Sequence, residues 1–401
     1  MHGGTLASAS GFRGFKIMPA FPPIHFAVLG PHNRGRISLL AHRPADGLRL
    51  VAACAAHVEN LDDYRSACGE DFFLTTDYRE VLAKPGIDAV FICTPDHLHA
   101  EHAIAAMDAG KHVFLEKPMA TTIEDCDAIL EAGARTGSKL YVGHNMRFFP
   151  VVRKMRELIK SGRIGRVEAI WCRHFISYGG DAYFKDRHSE RKNTTGLLLQ
   201  KGAHDMDIIH YLAGGHTRRV TAMGKLSVYN EVADRRRADE SVPVSFNRDN
   251  WPPLSQKGLS PVIDVEDHSM VLMQLDNGVQ ASYQQCHYTP DDSRNYTVIG
   301  TEGRIENYGD HSTQDRWATV HLWNSRMGHN ELGNEVFRIP SIEGSHGGAD
   351  PLLIDDFITF LRGGESAGAT PRDARMAVAA GCQATASLRA DSMPLDIPPI
   401  R

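Results

Sequence analysis

The sequence predicts an α/β protein in two parts, a doubly wound parallel sheet followed by an α+β region whose open sheet is mainly antiparallel. Three observations carry this. The chain has 401 residues, more than one hydrophobic core commonly serves. Over its first third, short apolar runs alternate with stretches of helical spacing, whereas beyond Pro150 successive strand-like runs follow one another across short turns.

Residues 1–23, rich in Gly, Ser, Ala and Pro, have no periodicity and read as a flexible leader. From Ile24 the runs His25–Leu29, Leu48–Cys54, Ala89–Cys93, His112–Leu115 and Lys139–Val142 are apolar nearly throughout, which suits strands covered on both faces. Between them, 36–41, 61–68, 96–109 and 122–136 have helical spacing, and Thr122 and Asp125 form a capping pattern. The first domain is therefore expected over 24–145 and the second, for substrate and subunit contacts, over 146–401. In the second, helices are expected at 151–161, 202–212, 350–361 and 372–390. Strands are expected at 167–175, 219–228, 270–275, 279–287, 296–300, 304–308, 319–323 and 335–339, and Asp276–Asn277–Gly278 marks a tight hairpin. Residues 231–265 read as an irregular excursion.

Composition excludes several classes of function. With 44 basic and 49 acidic residues and a formal charge of −5, the chain lacks the basic stripe that nucleic acid requires. No apolar run reaches the roughly 18 residues that would span a bilayer, so the expected address is cytoplasmic. Seven scattered cysteines provide neither a disulfide framework nor a CxxC zinc site. His97, His99 and His102 do not share one helical face, so no metal is expected.

The stretch Gly30-Pro-His-Asn-Arg-Gly35 falls directly after the first strand, where a dinucleotide-binding turn belongs. Gly30 and Gly35 keep the GxGxxG spacing, His32 replaces the middle glycine, and Asn33 and Arg34 add donors beside the helix N-terminus. The second strand ends in Cys54-Ala55-Ala56 rather than in a carboxylate for the ribose hydroxyls, which leaves NAD and NADP both open, with a lean towards NAD.

From Cys93 the chain reads CTPDHLHAEHAIAAMDAGKHVFLEKPMATT. The TPxxxH element (Thr94, Pro95, His99) and the EKP element (Glu116, Lys117, Pro118) resemble the glucose-fructose oxidoreductase, inositol dehydrogenase and MocA family, with further matches at 143–148 (GHNMRF), 196–207 (GLLLQKGAHDMD) and 346–350 (HGGAD). The resemblance implies a Rossmann domain holding a nicotinamide dinucleotide. It also implies that Lys117 contacts a substrate oxygen, with a cis bond plausible at Pro118. Independently of it, Thr94, Pro95, Glu116 and Lys117 lie at carboxyl ends of strands, where open α/β sheets bind ligands. The family commonly has DxGxHDxD where this chain has Gln200, Lys201, Gly202, Ala203, His204, Asp205, Met206 and Asp207. His204 matches the family histidine, and a near-neutral imidazole suits proton acceptance; Gln200 departs from the family aspartate and leaves the proton path open.

The expected site thus has Lys117 and His204 as catalytic groups. Gly30, His32, Asn33, Arg34, Gly35, Ala55, Thr94, Pro95, His99, Glu116 and Asn145 face the cofactor, and Asn145, Gln200, Lys201 and Tyr183 join the catalytic pair around substrate. The loop containing Tyr178, Tyr183, Phe184, Arg187, His188 and Arg191 either grips a ring or anchors itself. The resulting expectation is an NAD(P)-dependent oxidoreductase for a secondary hydroxyl of a sugar, glycoside or cyclitol, assembled as a homodimer or homotetramer. A glycosidase working by transient oxidation and a non-catalytic dinucleotide sensor are the alternatives.

Overall fold

The computed structural model describes residues 21–240, 245–313 and 315–400; most of the expected leader, residues 1–20, lies outside the described residues. Strands β1 (Ile24–Leu29), β2 (Leu48–Cys54), β3 (Phe73–Thr75), β4 (Ala89–Ile92), β5 (His112–Leu115) and β6 (Leu140–Val142) form one sheet in the order β3-β2-β1-β4-β5-β6. Every pairing in it is parallel. The order reverses between β1 and β4, which opens a crevice at their carboxyl ends. The expectation of five strands missed β3, whose three half-buried residues are too few to show a period.

Helices Asp62–Cys68, His99–Asp108 and Ile123–Thr136 fall where spacing predicts them. Thr122 caps the last through the Asp125 N–H at 3.1 Å. The first predicted helix is instead a 3-10 helix, Asn33–Ala41. The chain also returns to this sheet from its far end, because helix Ala349–Leu361 lays Phe357 against Phe26, Phe91, Phe114 and Tyr141 at ring separations of 5.3–6.3 Å. That return brings Asp350 to the crevice.

The second sheet has nine strands. They are β7 (Val167–Phe175), β8 (Thr217–Lys225), β9 (His268–Leu275), β10 (Gln280–Cys286), β11 (Ser293–Gly300), β12 (Arg304–Tyr308), β13 (Ala318–Trp323), β14 (Glu335–Ile339) and β15 (Leu395–Asp396), in the order β14-β13-β12-β11-β7-β10-β9-β8-β15. It is antiparallel except for the β10–β7 pair, a pairing between distant segments that local pattern does not reveal. β8 stops at Lys225, short of the expected 228, because Asp267 takes the backbone N–H groups of Ser227, Val228 and Tyr229 out of the ladder at 2.7–3.1 Å. Between 231 and 265 the described residues carry one 3-10 turn, Pro253–Ser255.

Helix Pro371–Arg389 ties the two parts together. Its Ala374 and Val378 pack in the core of the first sheet, while Ala377, Ala380 and Ala384 pack in the larger core that runs into the second. Among the described residues no helix is long and apolar enough to cross a membrane.

Candidate active site

The phosphate turn is built from close approaches. Gly30 has φ +80°, and a Cβ there would stand 2.7 Å from the Cys93 carbonyl oxygen; one on Gly35 would enter the shell of the Gly30 carbonyl oxygen. Both positions therefore require glycine. His32 precedes the 3-10 helix without a side-chain cap, and its Nε2 lies 2.8 Å from the His57 carbonyl oxygen, bridging the turn to the segment after β2. Asn33 is exposed at φ +49°.

Arg34, expected to offer donors to a ligand, has its guanidinium committed within the protein. Nε donates to Glu116 Oε1 at 2.6 Å, and Nη1 and Nη2 donate to the Asp350 carboxylate at 2.6 and 3.0 Å. The reason is that two buried carboxylates, each needing a cation, flank the turn. Asp350 also receives Asn145 Nδ2 at 3.1 Å and lies 2.8 Å from His346 Nδ1; the neighbouring Arg34 and His346 hold its carboxyl below the ordinary range against the effect of burial.

A cleft of about 290 Å³ opens where the first sheet's carboxyl ends meet the second part. Of the residues expected at the site, it brings together Arg34, Thr94, His99, Glu116, Lys117, Asn145, Tyr183, Gln200, Lys201 and His204. Gly30, His32, Asn33 and Gly35 lie along the turn outside this lining, as does Pro95. Ala55 is in the core and 3% exposed, its N–H donated to Thr75. Sequence reasoning did not assign Cys93, Asp96 and His346, which also face the cleft; their neighbours in the TPxxxH and HGGAD stretches were the available signal.

The first-sheet wall holds Lys117 firmly. The Lys117–Pro118 bond is cis. His99, 1% exposed, puts its two ring nitrogens 2.8 and 2.9 Å from the Pro118 and Thr94 carbonyl oxygens, stapling the ends of β5 and β4. His102 meets Thr94 Oγ1 at 3.0 Å, while His97 is exposed, so the three histidines face three different tasks. Lys117 Nζ donates to the Gln200 carbonyl oxygen at 3.1 Å, spanning the cleft. Burial is the main cause that lowers its ammonium to about 8; Lys201 and Arg34 push the same way, and Asp96 and Glu116 oppose them.

The opposite wall is carried by helix Gly202–Ala213, fixed from beneath. Asp205 and Asp207, in which sequence alone suggests first-turn charges, are fully buried anchors. Asp205 accepts from Tyr283 and Tyr296, lies 3.1 Å from His174 Nδ1 and pairs with Arg294 at 3.0 Å. Asp207 takes the Arg147 fork at 2.8 and 2.6 Å. Held in this way, His204 lines the cleft from the helix's first turn. Its Nδ1 has no partner among the described residues. Burial, then the cations Lys117, Lys201 and Arg294, push its imidazolium well below the ordinary range, which favours the uncharged ring. The Gln200 Oε1 is equally without a partner. Lys201 Nζ sits 3.1 Å from Tyr178 Oη and over the rings of Tyr178 and Tyr183 at 5.6 and 5.8 Å.

The residues present fit a nicotinamide dinucleotide. The turn is closed by two glycines that allow close backbone approach, and among the described residues the buried Asn145 Oδ1 and Asp96 Oδ2, both on the first-sheet side, lack donors. Fold and site together define a two-part oxidoreductase, with a dinucleotide crevice in its first sheet and the His204 imidazole brought to the cleft by its second part. The chain belongs to the Gfo/Idh/MocA oxidoreductase family: the family's NAD-binding Rossmann fold matches residues 24–144 and its C-terminal α/β domain matches residues 156–397. It is 28% identical to the NAD-dependent scyllo-inositol 2-dehydrogenase of Bacillus subtilis over 79% of this chain and 80% of that one. It is 32% identical to the 1,5-anhydro-D-fructose reductase of Ensifer adhaerens over 55% and 68%. Levoglucosan dehydrogenase, solved with NADH and levoglucosan, shares the fold with a TM-score of 0.73 at 22% identity, covering 94% of this chain and all of that one. The protein is an NAD(P)-dependent dehydrogenase.

Proposed function

We propose that the enzyme oxidises a secondary hydroxyl of a polyol, sugar or cyclitol, or reduces the corresponding ketone. The observation that carries this reading is that Lys117 and His204, from different parts of the molecule, line one cleft at the carboxyl ends of β4 and β5. Relatives named for inositol and anhydrosugar chemistry support the substrate class.

His204, neutral at rest, takes the hydroxyl proton, and Lys117 as ammonium steadies the oxygen while it becomes a carbonyl. The dinucleotide, when bound, accepts or returns the hydride. The turn at 30–35, Thr94, Glu116 and Asn145 would hold it. We favour NAD, because no lysine or arginine that could meet a 2'-phosphate follows the end of β2 until Arg65, and the Arg36 guanidinium is engaged by Asp63 at 2.6 Å. Gln200 binds a substrate hydroxyl without relaying charge. The test is an initial-rate screen of polyols against NAD and NADP by nicotinamide absorbance: turnover that Lys117→Ala and His204→Asn each abolish supports the reading, and turnover that both retain refutes it.

We also propose self-association through the open face of the second sheet. Register places Leu272 beside Trp171's row and Met270 beside Met223, all exposed at 48–64%. A second copy would cover this apolar surface, and a monomer by light scattering would exclude it. The seven cysteines, all unpaired, suit a reducing cytoplasm.

A further inference from the structure

The cleft's cations are not treated alike. Arg34 is neutralised by Glu116 and Asp350, and Lys117 has Asp96 and Glu116 as opposing charges. On the second wall the half-buried Lys201 and, at the exposed rim, Arg187 also line the cleft, yet among the described residues neither forms an ion pair, and that wall contributes no carboxylate. Lys201 is held in place by the Tyr178 hydroxyl and two aromatic faces, so its ammonium is positioned rather than free to swing into solvent. Beside it, Gln200 is 8% exposed with its Oε1 lacking a partner. His287, fully buried against Tyr183 at 5.2 Å, has no partner on either ring nitrogen among the described residues.

We infer that the substrate is a polyol bearing an oxyanion, a carboxylate or a phosphate, which sits against Lys201 and Arg187 while its carbinol lies between Lys117 and His204. The inference rests on the dehydrogenase reading above and narrows it. A neutral polyol would have to strip water from the half-buried Lys201 ammonium without compensating its charge. An oxyanion makes charge-assisted hydrogen bonds with both Lys201 and Arg187. It would also offset the repulsion that Lys201 exerts on Lys117, a contribution to the depressed lysine titration.

The experiment compares D-galacturonate, D-gluconate and D-galactose 6-phosphate with D-galactose and myo-inositol, using wild type, Lys201→Met and Arg187→Ala. Two readouts are taken, kcat/KM by nicotinamide absorbance and binding by calorimetry without turnover. At least one charged probe should exceed its neutral counterpart by about tenfold or more in kcat/KM, an advantage each substitution should cut by about tenfold. Calorimetric binding of that probe should weaken with added salt and fall in both variants. The carboxylate and phosphate arms identify which oxyanion fits. Neutral polyols turning over as well as charged ones, with both variants unchanged, would overturn the inference and leave the dehydrogenase reading standing. Charged probes bound at Lys201 without turnover of any polyol would preserve the oxyanion site and defeat the dehydrogenase reading. Absence of both binding and turnover would overturn both.

Discussion

Two regions of the cleft handle charge in opposite ways. Around the phosphate turn, Arg34, Glu116, Asp350 and His346 satisfy one another at 2.6–3.0 Å, through contacts that join chain segments 316 positions apart. Along the second wall, among the described residues, Gln200 and His204 keep buried polar atoms without partners, and the half-buried Lys201 has no carboxylate beside it. Buried polar groups are costly unless bonded. A fully matched network therefore marks framework, holding the turn to the returning helix, whereas an unmatched wall marks the place where a ligand completes the bonding. The same residue types, a cation beside a carboxylate or an imidazole, serve architecture in one region and chemistry in the other.

The comparison can be broken by substitution. Lys117→Ala should reduce kcat/KM by about 10³, or about 4 kcal/mol of transition-state stabilisation, with little change in urea midpoint, if its ammonium acts on the reacting oxygen as proposed. Arg34→Met should do the reverse, costing about 2–3 kcal/mol in urea denaturation by leaving Glu116 and Asp350 buried with less compensation. Were Arg34→Met to leave stability intact and abolish turnover, the division between framework and chemistry would fail.

Titration sharpens the same contrast. Because Lys117 is lowered to about 8 and its proposed role requires the ammonium, kcat/KM should fall as pH rises through that value. In Lys201→Met the limb should move upward, since one repelling charge is gone. A smaller effect belongs to the framework. The Asp350 carboxyl is depressed in the fold, so its contribution is present above the unfolded aspartate range near about 4 and is lost as pH falls below it. Acid denaturation of Asp350→Asn should accordingly show a shallower dependence in that window.

Much of this was legible in the chain because strand-end chemistry has local signatures. TPxxxH and EKP follow apolar runs directly, so Thr94, Glu116 and Lys117 could be assigned to a crevice, and the resemblance of 200–207 to the family pattern singled out His204. The commitment of Arg34 was not legible, since its partner Asp350 lies 316 positions away and only the return of helix 349–361 to the first sheet brings them together. His287 gave no signal either: it follows β10 with no motif around it, and its burial depends on the packing of Tyr183 and Phe184. β3 and the parallel β10–β7 pairing were hidden for related reasons, one strand being too short for a period and the other's direction being set by neighbours rather than by its own residues.

A double-mutant cycle on kcat/KM with Lys117→Ala and His204→Asn tests the central claim most directly, namely that the two groups act on one substrate oxygen. Each single change should cost about 10³, and the pair about the same as one alone, because groups working as a unit are strongly non-additive. Costs that multiply to about 10⁶ would show two independent roles and contradict the account.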